Sequence, residues 1–213
     1  MKYTRPNWNT SVLITIDTQN DFTLPSAPAE IQGTSEVLPN MKRALEAYRA
    51  QGLPIIHVIR LYKEDGSNVD LCRRETIEKG TKIAVPDSNG AELVRELRSA
   101  SYAALDANLL LSGGFQSVEE REWVMYKPRW GAFYQTELQA FLQERGIDTI
   151  VFTGCNFPNC PRTSMYEASE RDFRVVMVAD TMSQVYEKGI QEMSNIGVHV
   201  CGLNEVLDAL GRV

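Results

Sequence analysis

Short apolar runs alternate with helical stripes along most of this chain. Val12 to Ile16, Pro54 to Arg60, Trp123 to Tyr126, Ile150 to Thr153, Arg174 to Asp180 and Val198 to Cys201 read as strands. Most are brief and continuously apolar, as strands covered on both faces are. Between them, Ser35 to Gln51 repeats apolar residues at Val37, Leu38, Met41, Leu45 and Tyr48 and closes at Gly52. Thr136 to Gly146 carries Leu138, Phe141 and Leu142 on one helical face. Helices are also expected from Cys160 toward Phe173, over Glu187 to Asn195 and over Asn204 to Leu210. Gly90 to Leu97 reads as a short helix, and Ala107 to Leu111 as a brief peripheral strand. The alternation predicts an α/β fold: three layers, α/β/α, around a mostly parallel, Rossmann-like sheet of six strands. With 213 residues and neither repeat nor linker, one domain over 1–213 is expected.

The segment from Leu61 to Asn89 departs from that rhythm. A connection this long is functional or partly helical. It reads as a cover over an active site, with Arg73 and Arg74 as candidate anchors for a polar or carboxylate substrate.

Composition narrows the picture. At 43% hydrophobic and 23% charged the chain is that of a soluble globular protein. A net charge of −6, with no basic block, argues against a nucleic-acid partner. The absence of an 18-residue apolar run and of a signal-like N-terminus argues against a membrane and for the cytoplasm. Four cysteines in no regular framework fit a reducing compartment, in which thiols stay free.

Ligands of open parallel sheets bind outside the carboxyl ends of the strands, and three chemically capable residues fall there. Asp17 follows the first strand; as a lone aspartate it could equally serve a turn. Lys127 follows Trp123 to Tyr126 amid Tyr126, Pro128, Trp130 and Phe133, surroundings that could desolvate its ammonium. Cys160 follows the strand ending at Gly154. Pro161 suits the first position of a helix, which makes Cys160 its N-cap. A thiol there meets free N–H groups and the positive end of the helix dipole, so its pKa is expected below the free value of about 8.5. Most free cysteines are small buried hydrophobes, and Cys72, Cys155 and Cys201 are read that way. His57 and His199 are read as packing residues, so a cysteine–histidine pair is not expected. Attack on an amide carbonyl requires a thiolate, a base and oxyanion donors. Cys160, Asp17 and the N–H groups of the Cys155–Cys160 turn could supply them, with Lys127 holding the charges.

These motifs together resemble the isochorismatase-like cysteine hydrolases, a family that includes nicotinamidases, N-carbamoylsarcosine amidase, and ureidoacrylate and biuret hydrolases. The resemblance rests on Asp17-Thr-Gln-Asn-Asp-Phe22, on Lys127 followed by an aromatic-rich block ending Gly131-Ala-Phe133, and on Thr153-Gly-Cys-Asn-Phe-Pro-Asn-Cys160. It implies a catalytic triad of Asp17, Lys127 and Cys160, and a cis peptide between Cys155 and Asn156. It further implies an oxyanion hole from the N–H groups of Asn156 and Cys160, a pocket walled by Phe22 and Trp130, and a dimer or tetramer. The metal-binding cluster of nicotinamidases has no counterpart where Arg60-Leu-Tyr-Lys63 stands, so neither metal nor other cofactor is expected. The expected activity is C–N hydrolysis of a small amide or ureide through a thioester. The alternatives are vinyl-ether hydrolysis of the isochorismatase type, which would not need the thiol, and a catalytically silent binding protein on the same fold.

Overall fold

Every residue of strand β1 (Ser11–Ile16) is buried, and its side chains divide by parity between two cores. Val12, Ile14 and Ile16 enter one, Leu13 the other, because successive side chains of a strand point to opposite faces. The structure, a computed structural model describing residues 2–212, extends this division across a whole sheet. Its other strands are β2 (Ile55–Ile59), β3 (Phe115–Glu119), β4 (Glu122–Tyr126), β5 (Thr149–Gly154), β6 (Arg174–Met182) and β7 (His199–Cys201). Their order is β3-β4-β2-β1-β5-β6-β7, and only β3 runs antiparallel to its neighbour.

The helices are α1 (Asn20–Thr23), α2 (Thr34–Ala50), α3 (Leu71–Glu78), α4 (Ala107–Leu111), α5 (Leu138–Glu144), α6 (Cys160–Ser169), α7 (Glu187–Asn195) and α8 (Leu203–Leu210). One face of the sheet is covered by α5, α6 and α7 through Leu138, Leu142, Met165 and Met193. The other packs against α2 and α8 through Met41, Leu45, Tyr48, Leu203 and Val206. The layers are therefore α/β/α, as expected, with seven strands in place of six.

The additional strand is β3, whose residues are mostly half-buried or exposed, so it lacks the apolar run that marks the central strands. Ala107–Leu111 is helix α4 rather than a strand. Asp106 accepts from the backbone N–H of Leu109 at 3.0 Å, and this cap outweighs the apolar run that follows it. Gly90 to Leu97 is not a continuous helix. It holds a bridge between Gln19 and Leu93 and a single 3-10 turn at Arg95–Leu97, and Leu93, Val94 and Leu97 are buried.

Beneath the sheet's α2 face lies a polar network. Glu122, 2% exposed, accepts from Arg49 Nη2 at 2.7 Å and is 2.8 Å from His57 Nε2. The other ring nitrogen of His57 meets Thr15 Oγ1 at 2.7 Å, so the histidine is the packing residue expected. Burial opposes the Glu122 charge, but hydrogen bonds and charge from Arg49 and His57 outweigh it and hold its pKa down at about 2. A depressed folded-state pKa contributes stability above the ordinary carboxylate value and loses it as pH falls toward the folded value. The expected outcome is that Glu122→Gln costs about 2–3 kcal/mol at neutral pH in urea unfolding. The variant should also lose less stability than the native chain between about pH 5 and pH 2.

Candidate active site

The last rungs of the parallel ladder bring four strand ends level. Asp17 N donates to Val58 O at 2.9 Å, Lys127 N to Ile59 O at 3.0 Å, and Cys155 N to Ile16 O at 2.9 Å. Asp17, Arg60, Lys127 and Cys155 thus leave the sheet at one edge. There the strand order turns from β2 and β4 on one side of β1 to β5 and β6 on the other. Such a reversal opens a crevice in α/β sheets. Two backbone positions make the approach possible. Asp17 has φ of 54°, in the left-handed region that aspartate tolerates better than most residues. Gly154 has φ of 118°, and a Cβ there would lie 2.3 Å from Ile16 O, so only glycine fits.

Beyond Gly154 the Cys155–Asn156 peptide is cis, and α6 begins. Its N-cap is Asn159; Cys160 is the first helical residue and Pro161 follows within the first turn, one position later than the sequence suggested. The thiol still sits at the helix N-terminus. Among the described residues, the N–H groups of Asn156 and Cys160 donate to no other protein acceptor, whereas that of Phe157 is taken by Ser183 O at 3.0 Å.

Lys127 is fully buried, and its Nζ donates to Asp17 Oδ2 at 2.9 Å and to Arg129 O at 3.3 Å. The second carboxylate oxygen, Oδ1, is buried and has no partner among the described residues. It belongs to a cavity also lined by Cys160, Asn156, Phe22, Trp130 and Arg73, with room for about one water-sized molecule at about 10 Å³. Lys127 stands behind Asp17 rather than in the lining. Arg74 is exposed on α3 and does not reach the cavity.

The expectation of an acidic thiol is corrected. Burial first, and then the Asp17 carboxylate, push the Cys160 thiol up to about 11; Lys127 and Arg60 pull it down without reversing this. Cys160 is 5% exposed, and at that depth the loss of hydration exceeds the benefit of a helix N-terminus. The resting pair is therefore a thiol beside a carboxylate with a free oxygen. Burial first, and then Asp17, also raise Cys155 well above the ordinary thiol value, and its Sγ donates to Asp17 O at 3.0 Å, so it fixes the aspartate's backbone.

The Isochorismatase domain profile matches residues 11–105 and 114–205. The chain belongs to the isochorismatase family. It is 30% identical over 205 residues to an Arabidopsis thaliana protein named "probable inactive nicotinamidase", covering 93% of this chain and 95% of that one. It is 29% identical over 184 residues to a ureidoacrylate amidohydrolase of Methylobacterium radiotolerans, covering 82% and 67%. An isochorismatase family protein from Desulfovibrio vulgaris superimposes with a TM-score of 0.81 at 32% identity, over 95% of this chain and 98% of that one.

Within this isochorismatase-family site, sequence reasoning passed over Arg60, Tyr62, Ile31 and Cys155, all of which line the cavity. Arg60 carried a usable signal, a charged residue directly after an apolar strand. Burial opposes its charge, but Tyr62, Asp17, Cys160 and Asp70 outweigh this and raise its pKa, so it stays cationic. The long connection does cover the site. Tyr62, Val69, Ile83 and Ala84 pack on Phe22 and Cys155, and Arg73 reaches in from α3. Among the described residues, one set of three metal-capable side chains lies within 4.8 Å, namely His199, Cys201 and Glu205. None of them lines this cavity.

The raised thiol gives a signed outcome for alkylation. At about pH 7.5 Cys160 should react with iodoacetamide more slowly than exposed Cys72, and faster as pH rises toward its pKa of about 11. Asp17→Asn removes a charge that raises the thiol and should speed Cys160 alkylation several-fold near pH 8.5. Site-resolved peptide mass spectrometry reads both rates, and an unchanged or slower rate in the variant contradicts the assignment.

Proposed function

We propose that this chain is a cysteine amidohydrolase that cleaves a C–N bond of a small amide or ureide. The observation that carries the reading is the convergence of a buried thiol, a carboxylate with a free oxygen and two undonated N–H groups on one cavity. The names of its relatives support the reaction class, since one is a ureidoacrylate amidohydrolase.

In this scheme Asp17 Oδ1 accepts the thiol proton as Cys160 Sγ attacks the substrate carbonyl carbon. The thiolate exists only during attack, which suits a thiol whose resting pKa is high. The N–H groups of Asn156 and Cys160 stabilise the oxyanion of the tetrahedral intermediate. When the intermediate collapses, the C–N bond breaks, protonated Asp17 gives its proton to the leaving nitrogen, and ammonia or an amine departs from a thioester. Asp17 then takes a proton from water as the oxygen attacks the thioester, and returns it to the departing thiolate. Lys127 keeps Asp17 in register and balances its charge through the 2.9 Å ion pair. Phe22 and Trp130 wall the acyl group. Because the cavity holds only a water-sized molecule, substrate entry requires its lining, to which the 61–89 cover contributes Tyr62 and Arg73, to open.

A second reading, a silent binding protein on this fold, draws on the high thiol pKa and on the name of the Arabidopsis relative. Ammonia release from a panel of small amides and ureides separates the two. Turnover of at least one compound is expected, with a loss of at least about a thousandfold in Cys160→Ala and an unchanged unfolding midpoint. Equal turnover in that variant excludes a thioester route and favours chemistry without the thiol. Absence of turnover across the panel favours the binding reading.

A further inference from the structure

Arg60 is 2% exposed and held from three sides. Its Nη1 donates to Pro128 O at 2.9 Å and pairs with Asp70 Oδ2 at 3.1 Å. Asp70 is fixed in turn by the Tyr62 hydroxyl at 2.9 Å. The rings of Trp130 and Tyr62 flank the guanidinium at 5.4 and 5.8 Å. Gln19 fixes the backbone, its side-chain oxygen accepting from Arg60 N at 2.8 Å and its amide donating to Arg60 O at 2.7 Å. Against this, Nη2 is buried and has no partner among the described residues, although the side chain lines the cavity. Two charge-bearing N–H groups shut away from water without an acceptor are costly, and a ligand acceptor removes that cost.

The charges at the cavity tell the same way. Asp17 is balanced by Lys127, and Arg60 by Asp70. Arg73 reaches the cavity across the Phe22 ring, 5.6 Å from its centroid, and among the described residues it makes no ion pair. One positive charge is thus left over where substrate must sit, which favours an anion.

We propose that Arg60 Nη2 and Arg73 form an anion subsite in the Asp17–Cys160 cavity, selecting small amides or ureides that carry a carboxylate over their neutral counterparts. The proposal rests on the amidohydrolase reading and names its substrate class. Arg60 is the fixed element, already oriented by Asp70 and the two rings. Arg73 stands on the cover, so its contact with the carboxylate would couple substrate binding to closure. A neutral substrate would leave the buried Nη2 without an acceptor, and polar sites reject such analogues strongly.

The test uses matched probes. Succinamate is compared with butyramide, and N-carbamoylglycine with N-ethylurea, by ammonia release from the native protein, Arg73→Gln and Arg60→Gln. The native protein should favour the anionic member by roughly a hundredfold or more in kcat/KM. Each variant should reduce that ratio by about tenfold or more, the anionic compounds losing more than the neutral ones. A merely structural role would lower both rates by the same factor, leaving the ratio unchanged, and overturn the proposal. Since Arg60→Gln leaves buried Asp70 with only the more distant Arg129 Nε at 3.9 Å, Arg60→Gln/Asp70→Asn and the less buried Arg73→Gln provide variants that avoid this defect. A binding arm is independent of chemistry: in Cys160→Ala, succinamate should raise the melting temperature and butyramide should not, and adding Arg73→Gln should shrink the difference. Charge-selective stabilisation without turnover in the native protein supports the subsite and overturns the amidohydrolase reading. Turnover without charge preference does the reverse.

Discussion

A carboxylate and an ammonium are held together at the sheet edge with almost no water, and the rest of the structure has to permit it. Lys127 is fully buried and Asp17 nearly so, with 2.9 Å between Nζ and Oδ2. Taking either charge out of water alone costs several kcal/mol, so the pair is tolerable only if each partner is present and aligned. That alignment comes from the parallel ladder. β4 and β1 are separated by β2, and the rungs at Val58 O and Ile59 O set Asp17 and Lys127 level across it. A one-residue slip in either strand would turn the side chain to the other face and leave a buried charge alone. The fully buried strands behind these residues keep that register.

The same reasoning explains the Asp17–Phe22 block. Asp17 faces the cavity, while the polar residues after it tie down the long connection. Gln19 joins Arg60 to Ala91, Asn20 Nδ2 donates to Asn89 O at 2.6 Å, and Asp21 Oδ2 accepts from Ala84 N at 2.7 Å. Phe22 then supplies the apolar patch on which Tyr62, Val69 and Ile83 rest. One short stretch therefore anchors the cover and presents Asp17, which couples the state of the cover to the geometry of the site.

The thiol shows how burial redistributes a local advantage. Cys160 has the helix terminus, Lys127 and Arg60 in its favour, yet its pKa is raised because burial and the Asp17 charge are stronger. A stable thiolate would be solvated or reactive toward any electrophile. In the proposed mechanism, a thiol beside a free carboxylate oxygen ionises only when attack is under way.

Much of this was legible in the sequence because it is local. The alternation of apolar runs and helical stripes marks the layers, the residues after each run mark the crevice, and Pro161 marks the start of α6 to within one residue. Asp17, Lys127 and Cys160 could be singled out by their positions at strand ends, Arg73 by its place in the long connection, and Phe22 and Trp130 by the motif blocks they belong to. The tertiary structure alone decided β3, too polar to stand out, and α4, where Asp106 caps a run that otherwise reads as a strand. It also decided the direction of the Cys160 shift, the exclusion of Arg74 from the cavity and the pairing of Arg60 with Asp70, which leaves Nη2 free. Period and capping are carried by neighbours in the chain. Burial and charge balance are sums over residues that only the folded register brings together.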